Sequence, residues 1–361
     1  MGDVWKALER GERALPLWRA LGDRRWEART LNRIGRARWA LNEYQKALVD
    51  FNRALALDRA AGDQEGEAET LRNIGVTYSS LGEYQEALGH YGRALSLRRA
   101  AGDRRGEAQT LSNMGVVYRS LGEYQKALEC YDRALPLRRA GGDRRGEAYT
   151  LQNIADVYDS LGEYQKALEY YDQALLLTRA VGDRRQEAIT LNQLGRVSDA
   201  MCEYQKALRH YGQALALFRD IGERRGEAST LSNIGWLHQK SGEYRKASDY
   251  HGQALLLRRA IGHRLGEAIS LDNIGFVSSA LGQHQKALEY YGRALALRRA
   301  VGNRRGEAIT LFGIARAERD RGNLVAAHAR TEAALEIIES LRTKVTGQEL
   351  RASFLASVRD I

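Results

Sequence analysis

The chain has 361 residues, 43% of them hydrophobic, with only 2 Pro, and this composition favours helix over sheet. No apolar run approaches the length of a membrane span, and nothing at the N-terminus resembles a signal peptide, so we expect a cytoplasmic protein. Cys130 and Cys202 are too few and too scattered for a disulfide framework or a zinc site. Both are predicted to be ordinary helix residues.

The net charge of +10 is uneven along the chain. Residues 1–60 hold 13 Lys or Arg against 8 Asp or Glu, whereas residues 122–161 hold 6 against 7. Nucleic-acid binding usually requires a continuous basic stripe, so this distribution argues against a nucleic-acid partner.

A period of forty residues runs from Val4 to beyond Leu311 without insertion or deletion. Such a period indicates a repeat array rather than a globular core. Within one repeat, Leu71, Ile74 and Tyr78 share one face of a helix A, and a second face from Tyr84 onward predicts a helix B. Each repeat is therefore predicted to be two antiparallel helices.

In chain order, residues 1–22 are predicted to form a truncated repeat that holds a helix B only, from Val4 to Leu21. Residues 23–342 hold about eight tandem repeats, and the last helix B is Leu324–Arg342. Residues 343–361 are predicted to form a capping or junction helix that starts at a Thr346-x-x-Glu349 capping box. Pro16 and Pro136 are expected to kink or end their B helices, because proline removes a backbone hydrogen bond.

Two signals predict the turn between one repeat and the next. Gly102 lies where a helix C-terminus favours positive φ, and Asp103 is well placed to N-cap the next helix. The recurring pairs Arg98-Arg99 and Arg104-Arg105, with Glu107-type partners, are interpreted as a solvated, ion-paired edge.

The pattern Leu71-x2-Ile74-Gly75-x2-Tyr78, followed by Ala87-x3-Tyr91, resembles the tetratricopeptide repeat signature. The resemblance implies an all-α fold, a right-handed α-solenoid of antiparallel helix pairs. The forty-residue form is similar to the repeats of Partner-of-Inscuteable-type adaptors and of many bacterial repeat proteins.

The C-terminal sequence AALEIIESLRTKVTGQELRASFLASVRDI is similar to the junction that follows tetratricopeptide arrays in bacterial CHAT-domain proteins. Those proteins carry a caspase-like peptidase domain downstream. The resemblance implies that the chain is the recognition or sensor region of a longer protein. A solvating cap helix is the alternative interpretation.

The tetratricopeptide resemblance also implies that helix A lines a concave groove. One groove position lies two residues after the first core Leu of each repeat and carries Arg33, Asn73, Asn113, Asn153, Gln193, Asn233 and Asn273. Carboxamides donate and accept hydrogen bonds along an extended peptide, and in the resembling adaptors Asn at this position holds bound peptide. The alternative is a local bond to a neighbouring helix, or exposure to solvent.

The rest of this face varies from repeat to repeat. Arg29, Arg33 and Arg36 form a cluster suited to carboxylates. The middle of the array offers Asp156, Asp159, Asp199 and Arg196. Trp236 and Phe276 lie off the core stripe, so they are predicted to anchor ligand side chains or to pack on the neighbouring repeat.

These patterns predict a non-enzymatic scaffold, with no cofactor and no metal, that binds a peptide with acidic residues in its groove. The alternatives are a regulatory sensor region of a CHAT peptidase and, less favoured, nucleic-acid binding through the Arg-rich edge. Self-association through the terminal repeats is a further expectation, and no membrane partner is expected.

Overall fold

The computed structural model describes residues 2–343, and all regular structure in that range is helical. The helices are α1 Gly2–Leu21, α2 Arg24–Ala40, α3 Tyr44–Ala60, α4 Gln64–Leu81, α5 Tyr84–Ala100, α6 Arg104–Ser120, α7 Tyr124–Ala140, α8 Arg144–Ser160, α9 Tyr164–Ala180, α10 Arg184–Ala200, α11 Tyr204–Asp220, α12 Arg224–Lys240, α13 Tyr244–Ala260, α14 Arg264–Ala280, α15 His284–Ala300, α16 Arg304–Asp320 and α17 Leu324–Thr343. The all-α prediction is confirmed. The capping box at Thr346 lies outside the described residues, as does nearly all of the predicted junction helix.

Contacts between α-carbons divide the chain into unit 1, Met1–Gly182, and unit 2, Asp183–Ile361. Within each unit an even-numbered helix A packs against the odd-numbered helix B that follows it, and helix B packs against the next helix A. Consecutive A helices also contact one another, as α2 does with α4 and α14 with α16. Each unit is therefore an array of stacked helix pairs with its A helices in one layer.

Capping explains where the A helices begin. Asp103 accepts a hydrogen bond from the Gly106 amide at 2.9 Å, and Gly102 has a φ of 65°, as predicted. The turn between helix A and helix B also needs positive φ, which Gly82 supplies. Cys202 takes that place after α10 with a φ of 60°, so the prediction that it is an ordinary helix residue was wrong.

Close approach of helix A to helix B depends on a glycine. A Cβ added to Gly75 would lie 2.6 Å from the Tyr91 ring, and one added to Gly115 would lie 2.5 Å from the Tyr131 ring. Ala87 packs beside Tyr91 in the same core. The Gly75 and Tyr91 positions of the repeat signature therefore contact each other, and together they allow the two helices to approach closely.

The two prolines do not end their helices. Pro16 lies inside α1 and Pro136 lies inside α7. A proline removes one backbone hydrogen bond, but α1 still packs against α2 and α7 still packs against α6. The expectation that a helix could end there was wrong.

An ion pair joins the end of each of several B helices to the first turn of the next A helix, eight residues on. Arg99 Nε lies 2.7 Å from Glu107 Oε1. The same pair occurs at Arg19–Glu27, Arg59–Glu67, Arg139–Glu147, Arg219–Glu227, Arg259–Glu267 and Arg299–Glu307. We call this contact the turn clip.

No helix within residues 2–343 combines the length and the apolar character needed to cross a bilayer.

Candidate functional site

A cleft of about 980 Å³ opens in unit 1 between α1, α2 and α4. Ala7 and Gly11 of α1 form one wall, and Arg33 and Arg36 of α2 project from another. A second space of about 630 Å³ shares these two arginines and Asn73, and extends towards α6. We call the two spaces together the N-terminal cleft.

Three arginines predicted from sequence lie together in this cleft. Arg29, Arg33 and Arg36 are all exposed and all line it. None of them has a carboxylate oxygen within 4.0 Å among residues 2–343. Arg29 instead lies over the Trp26 ring, 5.4 Å from its centroid. Their charges therefore remain available to a ligand.

Other arginines of the cleft are neutralised from within the chain. Arg72 Nη2 lies 2.8 Å from one oxygen of Glu69, and Arg98 Nη2 lies 3.2 Å from the other. Burial raises the pKa of Glu69, but the hydrogen bond and charge of Arg72, with the charges of Arg98 and Arg36, more than offset it and lower the pKa overall. Glu69 is therefore ionised at neutral pH.

A buried polar chain lies under the cleft. Asn32 Nδ2 donates to Thr70 Oγ1 at 2.5 Å, and Thr70 Oγ1 donates to Asp58 Oδ2 at 2.7 Å. Burial raises the pKa of Asp58 to about 6 despite this bond. Asn73 joins the chain by donating to Asn32 Oδ1 at 3.2 Å.

The predicted row of carboxamides is largely occupied by bonds within the protein. In unit 1, Asn73 is bonded as above and Asn153 Nδ2 donates to the Tyr149 carbonyl at 2.9 Å. The Asn113 amide nitrogen, in contrast, has no hydrogen-bond partner within the described range. Asn113 is thus the unit 1 carboxamide whose donor is not used locally.

Unit 2 shows the same tendency. Gln193 accepts from Arg196 Nε at 3.3 Å, Asn233 Nδ2 donates to Asn192 Oδ1 at 3.2 Å, and Asn273 Nδ2 lies 3.5 Å from His251 Nδ1.

The acidic residues predicted on this face also have partners. In unit 1, Asp156 pairs with Arg119 and accepts from the Tyr171 hydroxyl. In unit 2, Asp199 lies 2.8 Å from Lys240 Nζ. These pairs reduce the negative charge offered to a ligand.

The two predicted aromatic anchors differ in how far they are covered. Trp236 is 45% exposed, with Lys240 Nζ 5.9 Å from its ring centroid. Phe276 is half-buried, and the Arg316 guanidinium lies 4.5 Å from its centroid. Trp236 is thus the more open of the two.

Sequence reasoning missed a set of buried arginines at the ends of B helices. Arg98 was placed on the solvated edge, but it is only 8% exposed and pairs with Asp103. Arg98 continues the buried face of Tyr91, Ala94 and Leu95 at helical spacing, and that spacing could have found it. Arg99, one position on, does lie in the turn clip on the solvent side.

Residues 2–343 contain no group of three or more His, Cys, Asp or Glu side chains arranged to hold a metal ion.

The chain belongs to the tetratricopeptide repeat family. The family model matches residues 1–60, 49–100, 106–180, 146–220, 186–260 and 266–340. No curated protein sequence matches the chain.

Three solved structures with similar folds are distant from this chain in sequence. A signal transduction ATPase with a tetratricopeptide repeat sensor, from Pyrococcus horikoshii, has a TM-score of 0.66 and 17% identity over 91% of this chain and 50% of its own. The apo quorum sensor NprR from B. thuringiensis has a TM-score of 0.64 and 14% identity over 93% of this chain and 99% of its own. A Rap protein complexed with Competence and Sporulation Factor has a TM-score of 0.58 and 14% identity, covering 95% and 99%. These similarities show the fold alone.

Proposed function

We propose that the protein is an interaction scaffold that binds an extended peptide with acidic residues in the N-terminal cleft. The observation that carries this proposal is the group of exposed arginines, Arg29, Arg33 and Arg36, which have no carboxylate within 4.0 Å in the described part of the chain. A ligand carboxylate would supply the counter-charge that Glu69 supplies to Arg72 and Arg98.

Guanidinium groups suit this role because their fork of N–H donors matches the two oxygens of a carboxylate. A hydrogen bond to a charged group contributes about 1.5–3 kcal/mol. The apolar wall at Ala7 and Gly11 would receive side chains that flank the acidic residue.

The similar structures support a ligand-binding role. One is described as a quorum sensor, and another is a complex with Competence and Sporulation Factor. Both are tetratricopeptide-like arrays of comparable length to this chain.

The test is selection of binders from a random peptide library on the immobilised chain. We expect the selected peptides to be rich in Asp and Glu. Peptides selected on the unmodified chain should bind the variant Arg29→Glu/Arg33→Glu/Arg36→Glu at least 100-fold more weakly, because three attractive contacts become repulsive.

The matched control is Arg53→Glu/Arg93→Glu/Arg133→Glu. These arginines are exposed on B helices of unit 1, and their reversal changes the net charge by the same amount. We expect binding to change less than about threefold in this variant. Equal loss in both variants would mean that overall charge, not the cleft, governs binding, and the proposal would be wrong.

A second candidate function is that of a sensor region within a larger protein, including the CHAT peptidase context. The similar ATPase carries its tetratricopeptide array as a sensor, and this chain covers 50% of it. The coding sequence after Ile361 tests this candidate: an in-frame effector domain supports it, and an immediate stop codon opposes it.

Self-association is a lesser proposal, supported by exposed apolar side chains on the terminal helices. Trp5 and Leu17 of α1 and Leu324, Val325 and Leu335 of α17 are all more than half exposed. Light scattering over a range of protein concentrations would show a rising mass if these helices dock another copy, and a constant monomer mass if they do not.

A further inference from the structure

Four B helices carry an arginine at the same position of the repeat, buried at Arg98, Arg258 and Arg298 and partly buried at Arg138. Three of the four have a carboxylate partner. Arg98 pairs with Asp103 and with Glu69. Arg138 pairs with Asp143, and Arg298 pairs with Asp272. These acids come from three positions of the repeat, at +5, −29 and −26 relative to the arginine.

Arg258 is the fourth member of this set, and all three acid positions around it are altered. They hold His263, Ser229 and Ser232. Arg258 is 7% exposed, and no carboxylate lies within 4.0 Å of it in residues 2–343. Its Nη1 donates to neutral acceptors only, the Gly266 carbonyl at 3.0 Å and Ser270 Oγ at 2.8 Å. The guanidinium is therefore buried without a counter-charge.

Two further polar groups at this place lack the partners that other repeats provide. Ser232 Oγ is buried and has no hydrogen-bond partner among the described residues. Ser232 occupies the position from which Asp272 contacts Arg298. In addition, His263, the N-cap residue of α14, makes no side-chain capping hydrogen bond, whereas Asp103 and Asp143 each accept from the glycine amide of the helix they cap.

His263 adds neither a counter-charge nor a second positive charge here. Burial, with the charges of Arg225 and Arg258, lowers the pKa of His263, so the imidazole is neutral at pH 7. Burial likewise lowers the pKa of Arg258, which no nearby acid offsets. An unpaired buried charge costs several kcal/mol, and an incoming carboxylate would relieve this cost.

Access to Arg258 can be judged from its counterpart in unit 1. Arg98 is as deeply buried, yet it lines the N-terminal cleft together with Arg105 and Gln109 of α6. The residues at the positions of Arg105 and Gln109 in unit 2 are Leu265 and Ile269, and both are exposed. The edge of Arg258 therefore faces a surface that is apolar where unit 1 is polar.

We propose that Arg258 and Ser232 form a subsite of unit 2 that takes the carboxylate of an acidic ligand residue flanked by apolar residues. This inference rests on the proposed function, binding of an acidic peptide in the N-terminal cleft, and adds to it a second recognition point. The carboxylate would pair with Arg258 as Asp103 and Asp143 pair with their arginines. Leu265 and Ile269 would contact the apolar neighbours of the acidic residue.

The experiment is a titration of the full ¹⁵N-labelled chain, followed by the amide resonances of Leu265 and Gly266. The probes are the blocked peptides acetyl-Leu-Glu-Leu-amide and acetyl-Leu-Gln-Leu-amide, and inorganic phosphate. We expect the Glu peptide to shift both resonances to saturation and to bind at least 10-fold more tightly than the Gln peptide.

The variant His263→Asp makes the test specific. It restores the acid found at Asp103 and Asp143, so it should weaken Glu-peptide binding at least 10-fold while raising the midpoint of thermal unfolding. Arg258→Gln should also abolish binding. Arg258→Gln removes a buried group and could impair folding. The result with the stabilised His263→Asp variant therefore decides the test.

Three outcomes would overturn the inference. The Glu and Gln peptides could bind equally, His263→Asp could leave binding unchanged, or phosphate alone could shift the resonances, which would assign the site to a free anion. The titration is repeated on the variant Arg29→Glu/Arg33→Glu/Arg36→Glu. In this variant we expect the Glu peptide to shift the Gly266 resonance as it does in the unmodified chain. If that variant no longer binds the library peptides, and the Glu peptide does not bind near Gly266, the proposed function stands and only this subsite is ruled out.

Discussion

Arg98 in unit 1 and Arg258 in unit 2 occupy the same position of the repeat and are buried to the same extent. Only Arg98, however, has an acidic partner. Asp103 and Glu69 neutralise Arg98, whereas His263 and Ser232 leave Arg258 without an acid. A buried arginine is thus part of the scaffold in one unit and, in our proposal, part of a binding site in the other. The difference comes from its neighbours and not from the arginine.

The contacts that hold the helices together do not differ between the units in this way. A Cβ on Gly115 would meet the ring of Tyr131, and a Cβ on Gly275 would meet the ring of Tyr291, at 2.5 and 2.8 Å. The turn clip also recurs in both units. Most repeats therefore keep the packing positions, with exceptions such as Ala155 and His251, and vary the positions on the A-helix layer, which largely separates stability from recognition.

The largest expected effect is an opposite response of the two units to acid. Burial, with the charge of Arg258, lowers the pKa of His251 in unit 2 to about 4, so the unfolded chain binds a proton that the folded chain does not as pH falls below 6.5. Stability of unit 2 should then fall by about 3 kcal/mol between pH 6.5 and 4. In unit 1, burial raises the pKa of Asp58 to about 6, so the folded chain holds the extra proton and stability falls as pH rises from 4 to 6.

Urea unfolding of variants across pH 4–7 measures both effects. His251→Tyr restores the residue found at Tyr91 and Tyr131, and its advantage over the unmodified chain should grow as pH falls. The advantage of Asp58→Asn should grow as pH rises. Two difference profiles with the same sign of slope would contradict the comparison.

An effect of intermediate size is expected when unit 1 is given a carboxylate-binding subsite like the one proposed for unit 2. Asp143 is the carboxylate that lies within 4.0 Å of Arg138 in the described chain. Asn303 shows that Asn also caps this kind of helix, because its Oδ1 accepts from the Gly306 amide at 2.8 Å. Asp143→Asn should therefore keep the fold and free Arg138. We expect at least 10-fold tighter binding of acetyl-Leu-Glu-Leu-amide near Gly146, about 1.4 kcal/mol, in the ¹⁵N titration.

The matched control for this gain is Asp63→Asn. Asp63 caps α4 through the Gly66 amide at 3.0 Å, but the residue at the arginine position of that repeat is Asp58. The substitution is the same and no arginine is freed, so binding should not increase. A gain in both variants would show that loss of negative charge alone explains it.

The smallest expected effect concerns the two turns that lack glycine. Cys202 in unit 2 and Asn42 in unit 1 have φ values of 60° and 61°. The left-handed region costs most residues about 1–2 kcal/mol, but Asn adopts it readily. Asn42 Oδ1 also accepts from the Tyr44 hydroxyl at 2.8 Å.

Cys202→Gly should therefore stabilise the protein by about 1 kcal/mol, whereas Asn42→Gly should not stabilise it. Urea unfolding of both variants at pH 7 measures the difference. An equal gain from both substitutions would mean that the side chain at this position does not matter.

Much of the fold could be predicted because its causes are local. The period, the capping by Asp103 and the positive φ of Gly102 all follow from short-range patterns. The cluster of Arg29, Arg33 and Arg36 could also be predicted, since spacings of four and three share a helix face. The absence of acidic side chains around these arginines could not be predicted, because it depends on residues from other helices. Arg258 was missed for the same reason: its missing partners lie 5, 26 and 29 residues away.

The turn clip and the Gly–Tyr contact have a consequence for how such a gene changes length. Because each junction between repeats uses nearly the same residues, recombination between two copies at matching points would join one existing repeat to another through an interface already in use. Loss or duplication of a forty-residue segment such as 122–161 would then keep the packing and the reading frame. The array would lengthen or shorten by whole repeats, and each repeat would add or remove one set of recognition side chains.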